Sequence, residues 1–201
     1  MIMTPISLDL TYMPKGHTGH LVGSLEVVQC IEKINNICAI DNLLEFGFNT
    51  GWSSALFLHL TNTKITSIEI VKESSPLEAC KILDQKFPNR HNIIWNDSML
   101  VAQAVRNKEI SLPDFNYCFI DGGHFPEIVQ SDIELCKHLG IKNFIFDDPY
   151  HENIKPAVEK FGFKLMYEQE YPLLRYKPNR GYYMKSKNVG RKTFLSYFTL
   201  D

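Results

Sequence analysis

The chain has 201 residues, of which 44% are hydrophobic and 22% are charged, so it can form one domain with a core of its own. A formal net charge of −2 argues against a general attraction to nucleic acid or to an acidic membrane. Five cysteines with no C-x-x-C pair argue against a disulfide scaffold and a zinc ribbon. No apolar run approaches the roughly 18 residues of a membrane span. We therefore expect a single cytoplasmic domain over residues 1–201.

Short apolar runs alternate with longer segments of helical spacing. The predicted strands are residues 42–46, 64–70, 92–95, 116–120 and 142–146. The helical segments lie near 25–34, 55–58, 76–87, 99–107, 126–138 and 152–161. This alternation predicts an α/β protein with a doubly wound, mostly parallel sheet of about seven strands. Residues 163–171 and 182–187 are predicted to form an antiparallel C-terminal hairpin that closes the sheet.

An acidic residue stands at or just after the end of each of the five predicted strands. These residues are Glu45, Glu69, Asp97, Asp121 and the pair Asp147-Asp148. In an open α/β sheet, ligands bind at the carboxyl ends of the strands, near the point where strand order reverses. The five acidic ends therefore predict the rim of an active site.

A glycine turn follows the first predicted strand, in the segment from Glu45 to Ser53. Gly47 and Gly51 let the backbone approach a ligand, and Ser53 lies at a helix start. A dinucleotide enzyme has G-x-G-x-x-G, whereas this chain has E-x-G-x-x-x-G. The acidic residue before the turn repels a pyrophosphate, and Glu69 is placed to grip a ribose diol. A cationic ligand with a ribose and no phosphate is S-adenosylmethionine.

These motifs resemble those of the class I S-adenosylmethionine-dependent methyltransferases, which have a Rossmann-like fold. The series continues through Asp97-Ser98 and Ile120-Asp121-Gly122-Gly123-His124 to Phe146-Asp147-Asp148, and is similar to the small-molecule branch of catechol O-methyltransferase and methyltransferase 24. The resemblance implies a transferase that methylates a hydroxyl of a small molecule or glycan. It also implies a cofactor site made of Glu45, Gly47, Gly51, Ser53, Glu69, Asp97, Ser98 and Asp121.

The acidic residues after strands four and five suggest a metal site. Asp121, Asp147 and Asp148 offer hard oxygen ligands that suit Mg²⁺, Mn²⁺ or Ca²⁺. In the metal-dependent relatives the third position is usually Asn, so Asp148 departs from that pattern. His124 stands where catechol O-methyltransferase has its general-base lysine, so His124 and Asp121 are the candidate catalytic residues. The alternatives are carboxylates that cap the following turn and a His124 that bonds the loop backbone.

Both ends of the chain leave alternatives open. Residues 1–24 form either a lid over the cofactor or a surface strap. The stretch 175–192 holds seven basic residues and no acidic one, which keeps a nucleic-acid methyltransferase open as an alternative. The apolar segment 193–198 either packs back on the domain or meets a second copy in a homodimer. A protein that binds S-adenosylmethionine without transferring a methyl group is the third reading.

Overall fold

The computed structural model describes residues 10, 12–14, 25–171, 174–177, 182–185 and 193–200, with only the backbone described at 174–177, 182–185 and 193. The helices are α1 (Leu25–Ile37), α2 (Trp52–Leu60), α3 (Ser74–Lys86), α4 (Ser98–Arg106), α5 (Pro126–His138) and α6 (Lys155–Phe161). The strands are β1 (Asn42–Phe46), β2 (Lys64–Glu69), β3 (His91–Trp95), β4 (Tyr117–Ile120), β5 (Asn143–Asp147), β6 (Lys164–Tyr171), β7 (Leu174–Lys177), β8 (Tyr182–Lys185) and β9 (Thr193–Thr199).

Seven strands form one sheet in the order β3-β2-β1-β4-β5-β9-β6. The first five strands along the chain run parallel, and β9 lies antiparallel between β5 and β6. The predicted α/β architecture, doubly wound and mostly parallel, is confirmed. Strand order reverses between β1 and β4, which is where such sheets bind their ligands.

The C-terminal strands pair differently from the sequence prediction. β6 pairs with β9, and residues 182–185 pair only with β7 in a separate two-stranded sheet. The antiparallel pair that closes the sheet is therefore confirmed, but its second strand was wrongly placed at 182–187. The physical reason is burial: consecutive residues Leu195, Ser196 and Tyr197 are each at most 2% exposed, as a strand covered on both faces requires. The apolar segment thus packs back into its own sheet, which removes the reason to expect a dimer from it.

Two apolar layers cover the sheet, one on each face. Helices α1, α2 and α3 pack on the face that carries Leu43 and Phe119, and α4, α5 and α6 pack on the face that carries Leu44 and Phe46. Because successive strand residues point to opposite faces, both sides of β1 and β4 are apolar. Among the described helices, none has the length and apolar character needed to cross a bilayer.

Part of the N-terminal segment packs against the body of the domain. Leu10 and Met13 are buried in the α1–α3 layer, and the Trp52 indole Nε1 donates a hydrogen bond of 2.9 Å to the Pro14 carbonyl. The described positions therefore lie against the α1–α3 layer, and the choice between lid and strap stays a prediction. The remainder of the predicted lid, residues 1–9, 11 and 15–24, lies outside the described residues, as do the side chains of the basic stretch 175–192.

Candidate functional site

A cavity of about 580 Å³ opens at the carboxyl edge of the sheet, at the reversal of strand order. The segments that follow β1, β2, β3 and β4 line it, together with the amino-terminal part of α3 and one face of α5. Five of the residues that the sequence assigned to the cofactor are in its wall: Gly47, Glu69, Asp97, Ser98 and Asp121. Among the described wall residues, the other three assigned positions, Glu45, Gly51 and Ser53, are absent.

The glycine turn is required by the packing of β1 against β4. Gly47 has φ +88°, and a Cβ atom there would lie 2.4 Å from the Asp121 carbonyl oxygen. Gly51 has φ +72°, and a Cβ atom there would lie 2.8 Å from the Phe48 ring. Both backbone conformations are ones that side chains with a Cβ disfavour. Gly47 therefore allows the β1 end to lie close to the β4 end at the cavity wall, and Gly51 allows the turn to pack against Phe48 behind it.

Glu69 holds this turn in place from the end of β2. Its Oε2 accepts hydrogen bonds from the backbone N–H groups of Phe48 (2.9 Å) and Asn49 (2.7 Å). Its Oε1 accepts a third, of 2.7 Å, from the backbone N–H of Val71. A carboxylate has about four lone-pair positions, so Glu69 keeps acceptor capacity for a ligand hydroxyl.

Glu45 points away from the cavity into the α2 side of the core. Its carboxylate accepts hydrogen bonds from the hydroxyls of Ser53 (2.6 Å), Ser54 (2.5 Å) and Ser67 (2.5 Å). Burial is the main cause that raises the pKa of Glu45, and the three hydroxyls oppose the rise. The structure therefore places Glu45 and Ser53 in one buried network behind the turn, where they join β1, β2 and α2.

Two buried polar atoms in the cavity wall have no hydrogen-bond partner among the described residues. They are Thr50 Oγ1 and Asp132 Oδ1. Asp132 is 1% exposed, and burial raises the pKa of its carboxyl from 3.8 to about 7. Buried polar atoms are usually paired, so two unpaired ones in one wall point to a ligand that pairs with them.

The sequence reasoning missed Asp132 because it considered only residues after strands. A signal was present: Asp132 falls among Val129, Ile133 and Cys136 on the buried face of α5. A carboxylate within the apolar face of a helix is buried, so it needs a hydrogen-bond partner from the protein or from a ligand.

The described wall of the cavity is acidic. It carries the carboxyls of Glu69, Glu73, Asp97, Asp121 and Asp132, and no Lys, Arg or His among those described positions. Asp97 is partly engaged, as Glu69 is, because it caps α4 by accepting a 2.8 Å hydrogen bond from the Met99 N–H. An acidic wall repels phosphate groups and attracts a cation.

Two carboxylates, from the β4 and β5 ends, meet beside the cavity. The charge of Asp147 acts on Asp121, and the Tyr171 hydroxyl donates a hydrogen bond to Asp147 Oδ1. Desolvation and the charge of Asp147 raise the pKa of Asp121 well above its ordinary range, and Asp148 adds to the rise. Asp148 itself is 7% exposed, with φ +52°, on the turn after β5. The strand-end rule thus correctly predicted that these residues lie near one another.

The three aspartates do not fit a metal site in this arrangement. Their carboxylate oxygens are not among the groups of three ligand atoms that lie within 4.8 Å of one another in the described part of the chain. The geometry therefore gives no support to the predicted Mg²⁺, Mn²⁺ or Ca²⁺ site.

His124 lies on the same edge of the sheet, but it is not among the described residues of the cavity wall. Its ring packs against the ring of His151, with 4.9 Å between the centroids. The two histidines follow β4 and β5, the strands that also carry Asp121 and Asp147 at their ends. The catalytic role of His124 stays a prediction.

No family model matches this chain, and no curated protein matches it in sequence. Solved structures do match. One is an O-methyltransferase from Bacillus cereus in complex with SAH, with TM-score 0.64 and 13% identity, covering 94% of this chain and 86% of that chain. The chain has the fold of the class I S-adenosylmethionine-dependent methyltransferases.

Two further matches show how widely this fold is used. Precorrin-6y C5,15-methyltransferase from Geobacter metallireducens matches with TM-score 0.64 and 14% identity, covering 98% of this chain and 99% of that chain. A proposed RNA methyltransferase from Pyrococcus horikoshii matches with TM-score 0.60 and 12% identity, covering 94% and 89%. The names of the three proteins point to different methyl acceptors, so the fold does not select one.

Proposed function

We propose that this protein is an S-adenosylmethionine-dependent methyltransferase that acts on a hydroxyl of a small molecule or glycan. The observation that carries the proposal is the acidic cavity, which lies at the strand reversal and whose wall includes Gly47, Glu69 and Asp97. A nucleotide with a pyrophosphate is disfavoured there, because the described wall offers five carboxyls and no basic side chain.

The residues of the wall suit the parts of S-adenosylmethionine. Glu69 keeps acceptor capacity for the ribose hydroxyls, and the unpaired Asp132 Oδ1 is an acceptor for an amino group such as that of adenine. The negative charge of the wall suits the sulfonium. When bound, S-adenosylmethionine supplies a methyl group on a positively charged sulfur, the electrophile of the reaction.

Asp121 is the residue that we assign to the proton of the acceptor hydroxyl. It lines the cavity, and desolvation together with Asp147 raises its pKa, so the ionised form of Asp121, which is the form that accepts the proton, binds it more strongly than an exposed carboxylate does. Tyr171 holds the Asp147 partner in place. His124 and His151 stand on the same edge, where they can contact the acceptor. Orientation of the acceptor and exclusion of water supply the rest of the catalysis.

The first test is calorimetric titration with S-adenosylmethionine and S-adenosylhomocysteine. We expect both to bind in the micromolar range and NAD⁺ to show no binding. Glu69→Gln replaces an acceptor oxygen with an NH₂ that faces backbone donors, so both affinities should fall by about tenfold or more. Glu78→Gln, on the exposed side of α3, is the matched control and should bind like the wild type. If neither compound binds, the proposal is wrong.

The second test is transfer of a labelled methyl group to a panel of phenols, sugars and RNA. Asp121→Asn should lower transfer to hydroxyl acceptors by about 10²–10⁴-fold while S-adenosylhomocysteine still binds. Assays with Mg²⁺ and with EDTA should give the same rate, because the aspartates do not form a metal set. If RNA is the only acceptor that is methylated, the proposal of a small-molecule or glycan acceptor is wrong. If S-adenosylmethionine binds but no acceptor is methylated, the proposal of an enzyme is wrong.

A further inference from the structure

Three side chains of the types that bind transition metals meet between α3 and β3. Cys80 and Asp84 are neighbours one turn apart on α3, and His91 is the first residue of β3. One ligand atom from each lies within 4.8 Å of the others, and Cys80 Sγ is 3.9 Å from Asp84 Oδ2. None of the three is in the described wall of the cavity, so this cluster is separate from the proposed active site.

A second observation concerns the ring of His91, which is 9% exposed. Its Nε2 lies 3.1 Å from the Ser67 hydroxyl oxygen, and its ring stacks on Phe48 with 4.9 Å between centroids. Its Nδ1 is buried and has no hydrogen-bond partner within the described part of the chain. Since Nε2 is engaged, Nδ1 is the nitrogen that is available as a ligand. A bound cation would satisfy an atom that the fold otherwise leaves unpaired.

The chemistry of the donors selects the kind of metal. Sulfur, imidazole nitrogen and carboxylate oxygen form a mixed set that suits Zn²⁺, whereas Mg²⁺ and Ca²⁺ take oxygen ligands. Tetrahedral bonds of about 2.0–2.3 Å place zinc ligands roughly 3.3–3.8 Å apart. The observed 3.9 Å between Cys80 Sγ and Asp84 Oδ2 is close to that spacing.

We propose that Cys80, Asp84 and His91 bind one Zn²⁺ ion per chain, with water as the fourth ligand. Asp84 is exposed, which leaves a path for the ion and its water. The ion would join α3 to β3 and hold His91 against Phe48 and Ser67. Phe48 belongs to the glycine turn, and Ser67 donates to Glu45 in the buried network behind it. The spacing is Cys-x₃-Asp-x₆-His, which is why a search for C-x-x-C pairs passes over it.

The test uses Co²⁺ as a spectroscopic substitute for Zn²⁺ on the full chain after removal of metals with EDTA. We expect one Co²⁺ per chain, a sulfur-to-cobalt charge-transfer band in the near ultraviolet, and loss of both on addition of Zn²⁺. Cys80→Ser should abolish the charge-transfer band, and Asp84→Asn should weaken Co²⁺ binding by about tenfold or more. Cys38→Ser, at an exposed cysteine elsewhere in the chain, should leave the spectrum unchanged.

Thermal unfolding of the same proteins supplies a readout that does not depend on the spectrum. Zn²⁺ should raise the unfolding temperature of the wild type and of Cys38→Ser, and it should have no effect on Cys80→Ser. The proposal is wrong if the wild type shows no charge-transfer band, or if the band persists in Cys80→Ser. Neither result bears on S-adenosylmethionine binding, so this proposal and the proposed function fail independently.

Discussion

Asp132 gives the sharpest prediction about the stability of this protein. The residue is 1% exposed in the wall of the cavity, and burial raises the pKa of its carboxyl from 3.8 to about 7. Between these values the folded chain keeps a proton on Asp132 that the unfolded chain has released. Stability therefore falls as pH rises through this window, and the loss is complete above the folded-state pKa. Asp132→Asn removes the titration with little change in shape.

The magnitude follows from the size of the shift. Each pKa unit corresponds to about 1.4 kcal/mol, so a shift of this size costs the wild type up to about 4 kcal/mol above pH 7. His91 acts in the opposite direction, because burial lowers its pKa to about 4 and stability rises as pH approaches its ordinary value of 6.5. The free energy of unfolding of the wild type, plotted against pH, therefore combines the opposite contributions of Asp132 and His91. The difference between the wild type and Asp132→Asn isolates the contribution of Asp132.

The assay is urea denaturation of both proteins at pH 4, 5, 6, 7 and 8. The two free energies of unfolding should agree near pH 4, and the variant should become the more stable one by roughly 1 kcal/mol or more per pH unit up to pH 7. Asp114→Asn, at an exposed position, should follow the wild type at every pH. Parallel curves for the wild type and Asp132→Asn would refute the reasoning.

Two further substitutions test the packing behind the cavity. Gly47→Ala places a Cβ atom 2.4 Å from the Asp121 carbonyl oxygen at φ +88°, so it should lower the free energy of unfolding by about 2 kcal/mol or more. The control is Gly140→Ala. Gly140 has φ +76°, but a Cβ atom there would have nothing within 4 Å, so this substitution should lower the free energy of unfolding by only about 1 kcal/mol. Equal losses for the two variants in urea denaturation would contradict the steric argument. Ser67→Ala removes one of three hydroxyl donors to the buried Glu45 carboxylate, so it should lower the free energy of unfolding by about 1.5–3 kcal/mol in the same assay. An unchanged free energy would mean that Glu45 is protonated and needs fewer donors.

The parts of the fold that local pattern determines could be predicted from the sequence. β1 and α5 have the predicted bounds, because a short apolar run and a Pro at the helix start mark them clearly. The clustering of Glu69, Asp97 and Asp121 was also predictable, since the carboxyl ends of parallel strands meet at one edge. The pairing of β9 was not, because it joins segments far apart in sequence that compete with a nearer partner.

The buried position of Glu45 follows from the alternation of side chains along a strand, whereas the resemblance to methyltransferases implied a contact with the cofactor. Leu44 and Phe46 face the α4–α6 layer, so the residue between them faces the α1–α3 layer, where α2 presents Ser53 and Ser54. Alternation along β1 therefore predicts the core position of Glu45. The cavity itself is bordered by α3 of one layer and α5 of the other, an arrangement that depends on the assembled sheet and that the sequence alone does not show.

The position of β9 also determines the order in which the sheet can be completed during synthesis. β6 leaves the ribosome before β9, yet in the finished sheet β9 separates β6 from β5. Until residues 193–199 emerge, β5 is an exposed edge with unpaired backbone groups, and β6 has no place in the sheet. The parallel half, β1 to β5, can assemble as the chain is made, whereas the antiparallel half must wait for a strand inserted last. A nascent chain that stalls before residue 193 would thus present an open strand edge to chaperones and to other chains.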